Sequence, residues 1–362
     1  MMLRKAKKVI VGLSCICLVI TMLSLAGCTT GQTAATTSEK EAIASETESA
    51  AVETTATKPE AGKSYVIGVA PNTLQPPWGE MVKAVDLRCA ELSELYGIDY
   101  IQVVKAPEQH ASLEEQSNIF DDFIAQGVNV IVGVTVDTDS YAGLAKRCAD
   151  AGIPVGAIVQ PTPVPSVSFY VNTDEIKAAE EAGERLAKDL NGKATVMFLH
   201  GQKIHPCDVN RYTGYMNAFK KYPGIKVLAE NEAKWQAQDA SVVMDDWIAG
   251  YGDQFDAVIT ANDNMAVGVI ASMKSAGKKY YVTGWDGTED GAKAIQAGDL
   301  AFSIDQDFSM FGKMVADAGF QVITTGMPRE LWIVPHNLVD KSNIQAMLDR
   351  INNTLNGVKS WE

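Results

Sequence analysis

From Tyr65 onward, short runs of apolar, β-branched residues alternate with longer stretches whose apolar positions recur at helical spacing. The short runs are 65–70, 100–104, 128–134, 155–159, 195–199, 226–228, 257–260, 281–283 and 301–304. Most are apolar throughout, which predicts strands covered on both faces. The helical stretches between them include 79–95, 113–126, 141–151, 175–190, 209–222, 241–249 and 265–276. This alternation predicts α/β architecture with doubly wound parallel sheets. The strands are too many for one compact sheet, and 362 residues are enough for two domains. Pro161-Thr162-Pro163-Val164-Pro165 interrupts the rhythm and cannot continue a helix, so it is expected to form part of the passage between the two lobes.

The first 62 residues follow a different pattern. Arg4, Lys5, Lys7 and Lys8 precede an apolar run over 9–25, which ends in Leu25-Ala26-Gly27-Cys28. A basic start, an apolar run and a small-residue end predict an export signal over 1–27. The four-residue ending resembles a bacterial lipobox, which implies that Cys28 carries lipid. The competing reading is a retained transmembrane anchor, for which the run is slightly short of the ~20 residues a span needs. Residues 28–62 are mostly Thr, Ala, Glu and Ser without an aromatic. Such a segment buries too little apolar surface to offset its ordering entropy, and reads as a disordered tether.

Charge then narrows the partners. The formal net charge is −14, and removing the four basic residues of the signal makes it −18. That disfavours nucleic acid, whose phosphates need a basic footprint. It also offers no polybasic patch for anionic lipid, so the lipid chain would do the anchoring. Of the cysteines, Cys89, Cys148 and Cys207 remain in the folded part, an odd number at spacings that make neither a disulfide scaffold nor a zinc pattern.

Polar and aromatic residues gather after the predicted strands, where open α/β sheets place their ligands. Trp78 follows the first strand, Gln160 the fourth, and Arg211, Trp235, Asn262, Asp286 and Gln306 lie after strands of the second half. Carboxylates, amides and a guanidinium bind hydroxyls, and aromatic rings cover the C–H face of a sugar. Asn262 and Asp286 each precede a helix, so N-capping is a competing role; at Asp137 and Asp139 it is the preferred one. Arg211 is placed in a first helical turn, where a cation opposes the helix dipole and so invites a functional explanation. His200, His205, Cys207 and Asp208 lie close together, but their spacing matches no zinc signature. No hydrolase elbow, phosphate loop or metalloprotease helix is present. No cofactor and no metal are expected.

Three segments carry a family resemblance: residues 209–219 (VNRYTGYMNAF), 256–277 (DAVITANDNMAVGVIASMKSAG) and 282–306 (VTGWDGTEDGAKAIQAGDLAFSIDQ). They resemble the periplasmic binding proteins of sugar ABC transporters, in the ribose/galactose-type branch, over essentially the whole body from Lys63. The same fold serves repressor effector domains, but an export signal stands here where those have a DNA-binding helix-turn-helix. The resemblance implies two lobes joined by three crossings near 170–172, 305–307 and 333–335. Lobe one is then 63–171 with 307–334, and lobe two 172–306 with 335–362. It also implies ligand contacts for Trp78, Arg211, Trp235, Asn262, Asp286 and Gln306. Val159-Gln160 replaces the family's Asp-Arg pair, which makes ribose doubtful and leaves lobe one unusually apolar toward its ligand. The expected function is a monomeric, lipid-anchored solute receptor on the outer face of a bacterial membrane. It would close on a sugar or other hydroxylated molecule and dock on an ABC permease. The alternatives are a sensor subunit for a histidine kinase or chemoreceptor, and an extracellular enzyme acting on a sugar.

Overall fold

The computed structural model describes residues 59–159, 163–326 and 330–361. The first sheet is built from β1 (Ser64–Ala70), β2 (Asp99–Val104), β3 (Val130–Val134), β4 (Val155–Ile158) and β5 (Phe169–Thr173). The second is built from β6 (Lys193–His200), β7 (Gly224–Glu232), β8 (Ala257–Thr260), β9 (Tyr281–Asp286) and β10 (Phe302–Asp305). Then β11 (Leu331–Val334) returns to the first sheet and β12 (Asn337–Val339) to the second. The orders are β11-β5-β4-β3-β1-β2 and β12-β10-β9-β8-β6-β7, so one topology is used twice. All described pairings are parallel except β10 with β12. In each sheet the order reverses beside the first strand, at β1/β3 and at β6/β8, and that switch point is where such sheets open a crevice.

The helices are α1 (Trp78–Tyr96), α2 (Leu113–Gln126), α3 (Thr138–Asp150), α4 (Glu175–Asp189), α5 (Pro206–Lys220), α6 (Ala237–Tyr251), α7 (Asp263–Ser275), α8 (Glu289–Ala297), α9 (Phe308–Thr325) and α10 (Ile344–Leu355). With helices on both faces, β3, β4, β5, β8 and β10 are buried along their whole length, which accounts for the apolar runs at β3 and β4. The edge strands β2 and β7 keep exposed positions instead. Asp137 caps α3 as expected, accepting from Ser140 N at 2.8 Å. Among the described residues no helix is long and apolar enough to cross a membrane.

Several elements escape the sequence pattern. Strands β5, β11 and β12 and helices α8, α9 and α10 are not among its runs. Because β5 pairs with β4, the proline-rich segment joins two strands of one sheet, and the chain leaves for the second sheet only after Thr173. Helix α9 packs against α1 of the first lobe. A Cβ on Gly312 would lie 2.3 Å from the Met81 carbonyl oxygen, so only glycine admits that approach.

Helix α10 is fastened by charge. Arg350 pairs with Glu80 of α1 at 3.1 Å, with Asp305 at the end of β10, and with Asp307 of the crossing at 3.5 Å. Glu80 and Asp305 are buried, and burial lifts the Glu80 carboxyl to about 7 against the pull of Arg350; Asp305 is pushed up by the same cause. Arg350→Ala leaves both acids without their cation, an expected loss of about 3–5 kcal/mol. Without Arg350 both carboxyls move further up. Protonation then relieves the variant, and its stability falls as pH rises through those values. Urea unfolding should therefore show a smaller deficit at pH 5 than at pH 8. A deficit below about 1 kcal/mol, or a larger one at pH 5, would contradict this role.

Candidate functional site

Eight strand ends deliver side chains to one cavity between the two sheets. Asn72 follows β1, His110 β2, Val159 β4, His205 β6, Trp235 β7, Asn262 β8 and Gln306 β10, while Asp286 ends β9. Trp78, Cys207, Arg211, Phe308 and Phe311 come from α1, α5 and α9. Together they line a cleft that is concave and of mixed polar and apolar character, as small-molecule sites are.

Arg211 is the charge around which the second lobe's wall is arranged. It is 4% exposed, and its Nε and Nη2 donate to the two Glu175 oxygens at 2.8 and 3.2 Å. Nη1 donates to the Ala261 carbonyl and stands 3.8 Å from Asp286 Oδ1. The guanidinium also lies 4.5 Å from the Trp285 ring centre. Burial works against its charge, and its neighbours, Glu175 first and then Cys207 and Asp286, together more than offset this, so its pKa is raised. Pro206 opens α5, which places Arg211 in the second helical turn instead of the first. The dipole argument for its function thus falls away, and the buried ion pair takes its place.

Asp286 does not cap α8; Thr288 does, accepting from Gly291 N at 3.0 Å. Asp286 instead accepts from Gln306 Nε2 at 3.1 Å, with φ at 103°. A non-glycine residue held there stores roughly 1–3 kcal/mol of strain, a feature that clusters at functional sites. Burial raises its carboxyl to about 8, with Arg211 pulling down and Asp263 and Glu175 pushing up. Asp263 holds the turn that aims Asp286: its carboxylate accepts from Thr288 N at 2.7 Å and Ser303 Oγ at 2.7 Å. Sequence reasoning gave Asp263 no such role.

Asn262 is both a cap and a wall residue. Its Oδ1 accepts from Met265 N at 2.9 Å, and its Nδ2 donates to the Trp235 carbonyl at 3.4 Å. Trp235 has φ 65°, lies across Gly201, and donates from Nε1 to Gln202 Oε1 at 3.3 Å. A Cβ on Gly201 would fall 2.2 Å from that indole, so glycine here is what admits the ring.

The first lobe supplies aromatic surface and two amide or imidazole groups. Trp78, the first residue of α1 rather than a loop residue, meets Phe308 edge-on at 5.3 Å. Val159 has φ 60°, an outlier for a β-branched residue. Asn72 and His110 add polar groups to a first lobe expected to be unusually apolar toward its ligand. Asn72 Oδ1 and His110 Nδ1 are buried without a hydrogen-bond partner, and both residues line the cavity. Phe308, Phe311 and His110 had no distinguishing sequence signal; Asn72 did, by following a strand. Gln160 and Cys28 lie outside the described residues.

The remaining cluster separates into two pairs. His200 binds Asp208 at 2.7 Å and Glu230 at 3.3 Å, beneath the site. His205 and Cys207 line the cavity with Nδ1 and Sγ 3.1 Å apart. Burial pushes the Cys207 thiol well up and the His205 imidazole down to about 3, so both are neutral and no thiolate–imidazolium nucleophile forms. Among the described residues no group of three or more His, Cys, Asp or Glu is placed to hold a metal.

Comparison with known proteins follows this geometry. A xylitol-binding protein of Mycolicibacterium smegmatis is 33% identical over 243 residues, 65% of this chain and 68% of that one. A putative rhizopine-binding protein of Rhizobium meliloti is 32% identical over 241 residues, 64% of this chain and 77% of that one. A solved ABC transporter solute binding protein of Bacillus halodurans with bound myo-inositol superposes at TM-score 0.69 and 24% identity, covering 79% of this chain and 97% of that one. The family model described as periplasmic binding protein domain matches residues 67–326, from β1 through α9. Since that span takes in both sheets and the cavity between them, this chain belongs to the periplasmic binding protein family.

Proposed function

We propose that this protein is a monomeric, lipid-anchored receptor outside the cell membrane that captures a small polyhydroxylated molecule and presents it to an ABC permease. The observation that carries the reading is a cavity walled by both lobes, with Arg211, Asp286, Asn262 and Gln306 on one side and Trp78 and Phe308 on the other. Such a wall suits hydroxyls at its polar side and C–H faces at its rings. The relatives named for xylitol and rhizopine, and the fold neighbour holding myo-inositol, support a polyol or sugar-like ligand. Lobe one is taken as 63–171 with 307–334, and lobe two as 172–306 with 335–362. A ligand touching both favours the closed arrangement and shifts the population toward it. Ligand contacts are assigned to Trp78, Gln160, Arg211, Trp235, Asn262, Asp286 and Gln306. Cys28 is assigned the lipid, and no reaction is assigned to the site.

The full-length protein, incubated with a panel of sugars and polyols, is expected to bind one class with micromolar or better affinity and return it unchanged. Mass spectrometry of the recovered compound checks this; chemical conversion by the purified protein would establish an enzyme instead.

Asp286 is expected to contribute most of the polar recognition of the ligand. Alanine is a poor probe at φ 103°, whereas asparagine tolerates positive φ and keeps the shape. Asp286→Asn should weaken ligand binding by roughly 30-fold or more, about 2 kcal/mol, with ligand-free melting near that of the parent. Unchanged affinity by calorimetric titration would remove Asp286 from the site.

Cys28→Ala should release the protein from the membrane fraction into the medium. Retention of the variant in washed membranes would mean that the apolar run at 9–25 is itself the anchor.

A further inference from the structure

The polar groups of the cavity are unevenly spent. Apart from His110, whose Nδ1 has no partner, its donors are engaged inside the protein: Arg211 to Glu175 and Ala261, Asn262 to Trp235, Gln306 to Asp286, and Trp235 to Gln202. Its acceptors are not. Asp286 takes one amide hydrogen bond, and Asn72 Oδ1, on a residue 3% exposed, takes none.

Charge is uneven in the same direction. Two acids, Glu175 and Asp286, share the guanidinium of Arg211, which Glu175 already holds through both of its oxygens; burial lifts the Asp286 carboxyl to about 8, and a cation placed beside it favours the charged form. Among the described residues lining the cavity there is no second arginine and no lysine. The two imidazoles add no positive charge, because burial holds His205 and His110 neutral, at about 3 and 4. The opposite wall is Trp78, Phe308 and Phe311. A carboxylate facing aromatic rings is a combination that recognises an ammonium group.

We propose that the ligand carries a protonated amine beside its hydroxyl groups, an amino-deoxy polyol or amino sugar, with the ammonium on Asp286 and its neighbouring donors directed to Asn72. An ammonium supplies three donors and one positive charge, which are the two things this wall lacks. Glu175 neutralises Arg211, so the guanidinium does not repel the incoming cation. The proposal rests on this cavity being the ligand site.

The test is calorimetric titration of the full-length protein, purified in detergent, with four kinds of probe: xylitol, myo-inositol, their mono-amino-deoxy counterparts, and the N-acetylated forms of those amines. The amines are expected to bind at least tenfold more tightly than the parent polyols. N-acetylation, which removes the charge, should abolish the gain. Asp286→Asn should erase the preference for amine over hydroxyl; the wild-type comparison stands without it if that variant fails to fold. Parent polyols binding as tightly as the amines would overturn the amine assignment and leave the polyol receptor standing. Binding of none of these probes by folded wild-type protein would overturn both.

Discussion

Arg211 is almost without water, and a guanidinium so placed has to be answered by the protein around it. Glu175 answers with both oxygens, the Ala261 carbonyl with a third contact, and the Trp285 ring with its face. Each of these comes from a different element: α4, the turn after β8, and β9. The ion pair therefore fixes three parts of the second lobe against α5 at the point where the cavity begins. Removing either partner would leave a buried charge uncompensated, so the pair is a constraint on the lobe as well as a part of its wall.

The same logic explains how a deep, polar cavity coexists with ordinary packing. Asp263 satisfies the β9–α8 turn and Asn262 the start of α7, so the loops bearing Asp286 and Trp235 are held from beneath. Strain is tolerated at Val159, Trp235 and Asp286 because neighbouring contacts determine their backbone. The first lobe contributes less charge and more ring surface. The cavity thus has an electrostatically rigid wall on one side and a wall richer in ring surface on the other.

The two-lobe α/β architecture was legible in the sequence because buried parallel strands read as unbroken apolar runs. The site was legible where a polar or aromatic residue directly followed such a run, as with Asp286, Asn262 and Gln306. What escaped depended on contacts distant in the chain. Glu175 meets Arg211 from 36 positions away. Helix α9 is apolar around much of its circumference, so it lacked the polar face that marks a surface helix, and Phe308 and Phe311 went unnoticed with it. Strand β5 was masked by the prolines before it, and β12 is only three residues long. His205 and Cys207 drew attention as a candidate reactive pair, and burial favours the neutral form of both. Asp286 and Asn262 carried the same capping alternative, and only the structure separated them: Asn262 caps its helix and Asp286 does not.

The backbone at Asp286 reaches beyond this one ligand. With φ at 103° the position accepts aspartate, asparagine or glycine and resists most other side chains, and a Cβ on the neighbouring Gly287 would fall 2.6 Å from the Asp305 Cβ. Drift toward a new solute is therefore channelled away from the second lobe. The adaptable positions are those of the opposite wall where φ is not positive, such as Asn72, His110 and Trp78. One lobe would then be inherited nearly intact while the other diversifies.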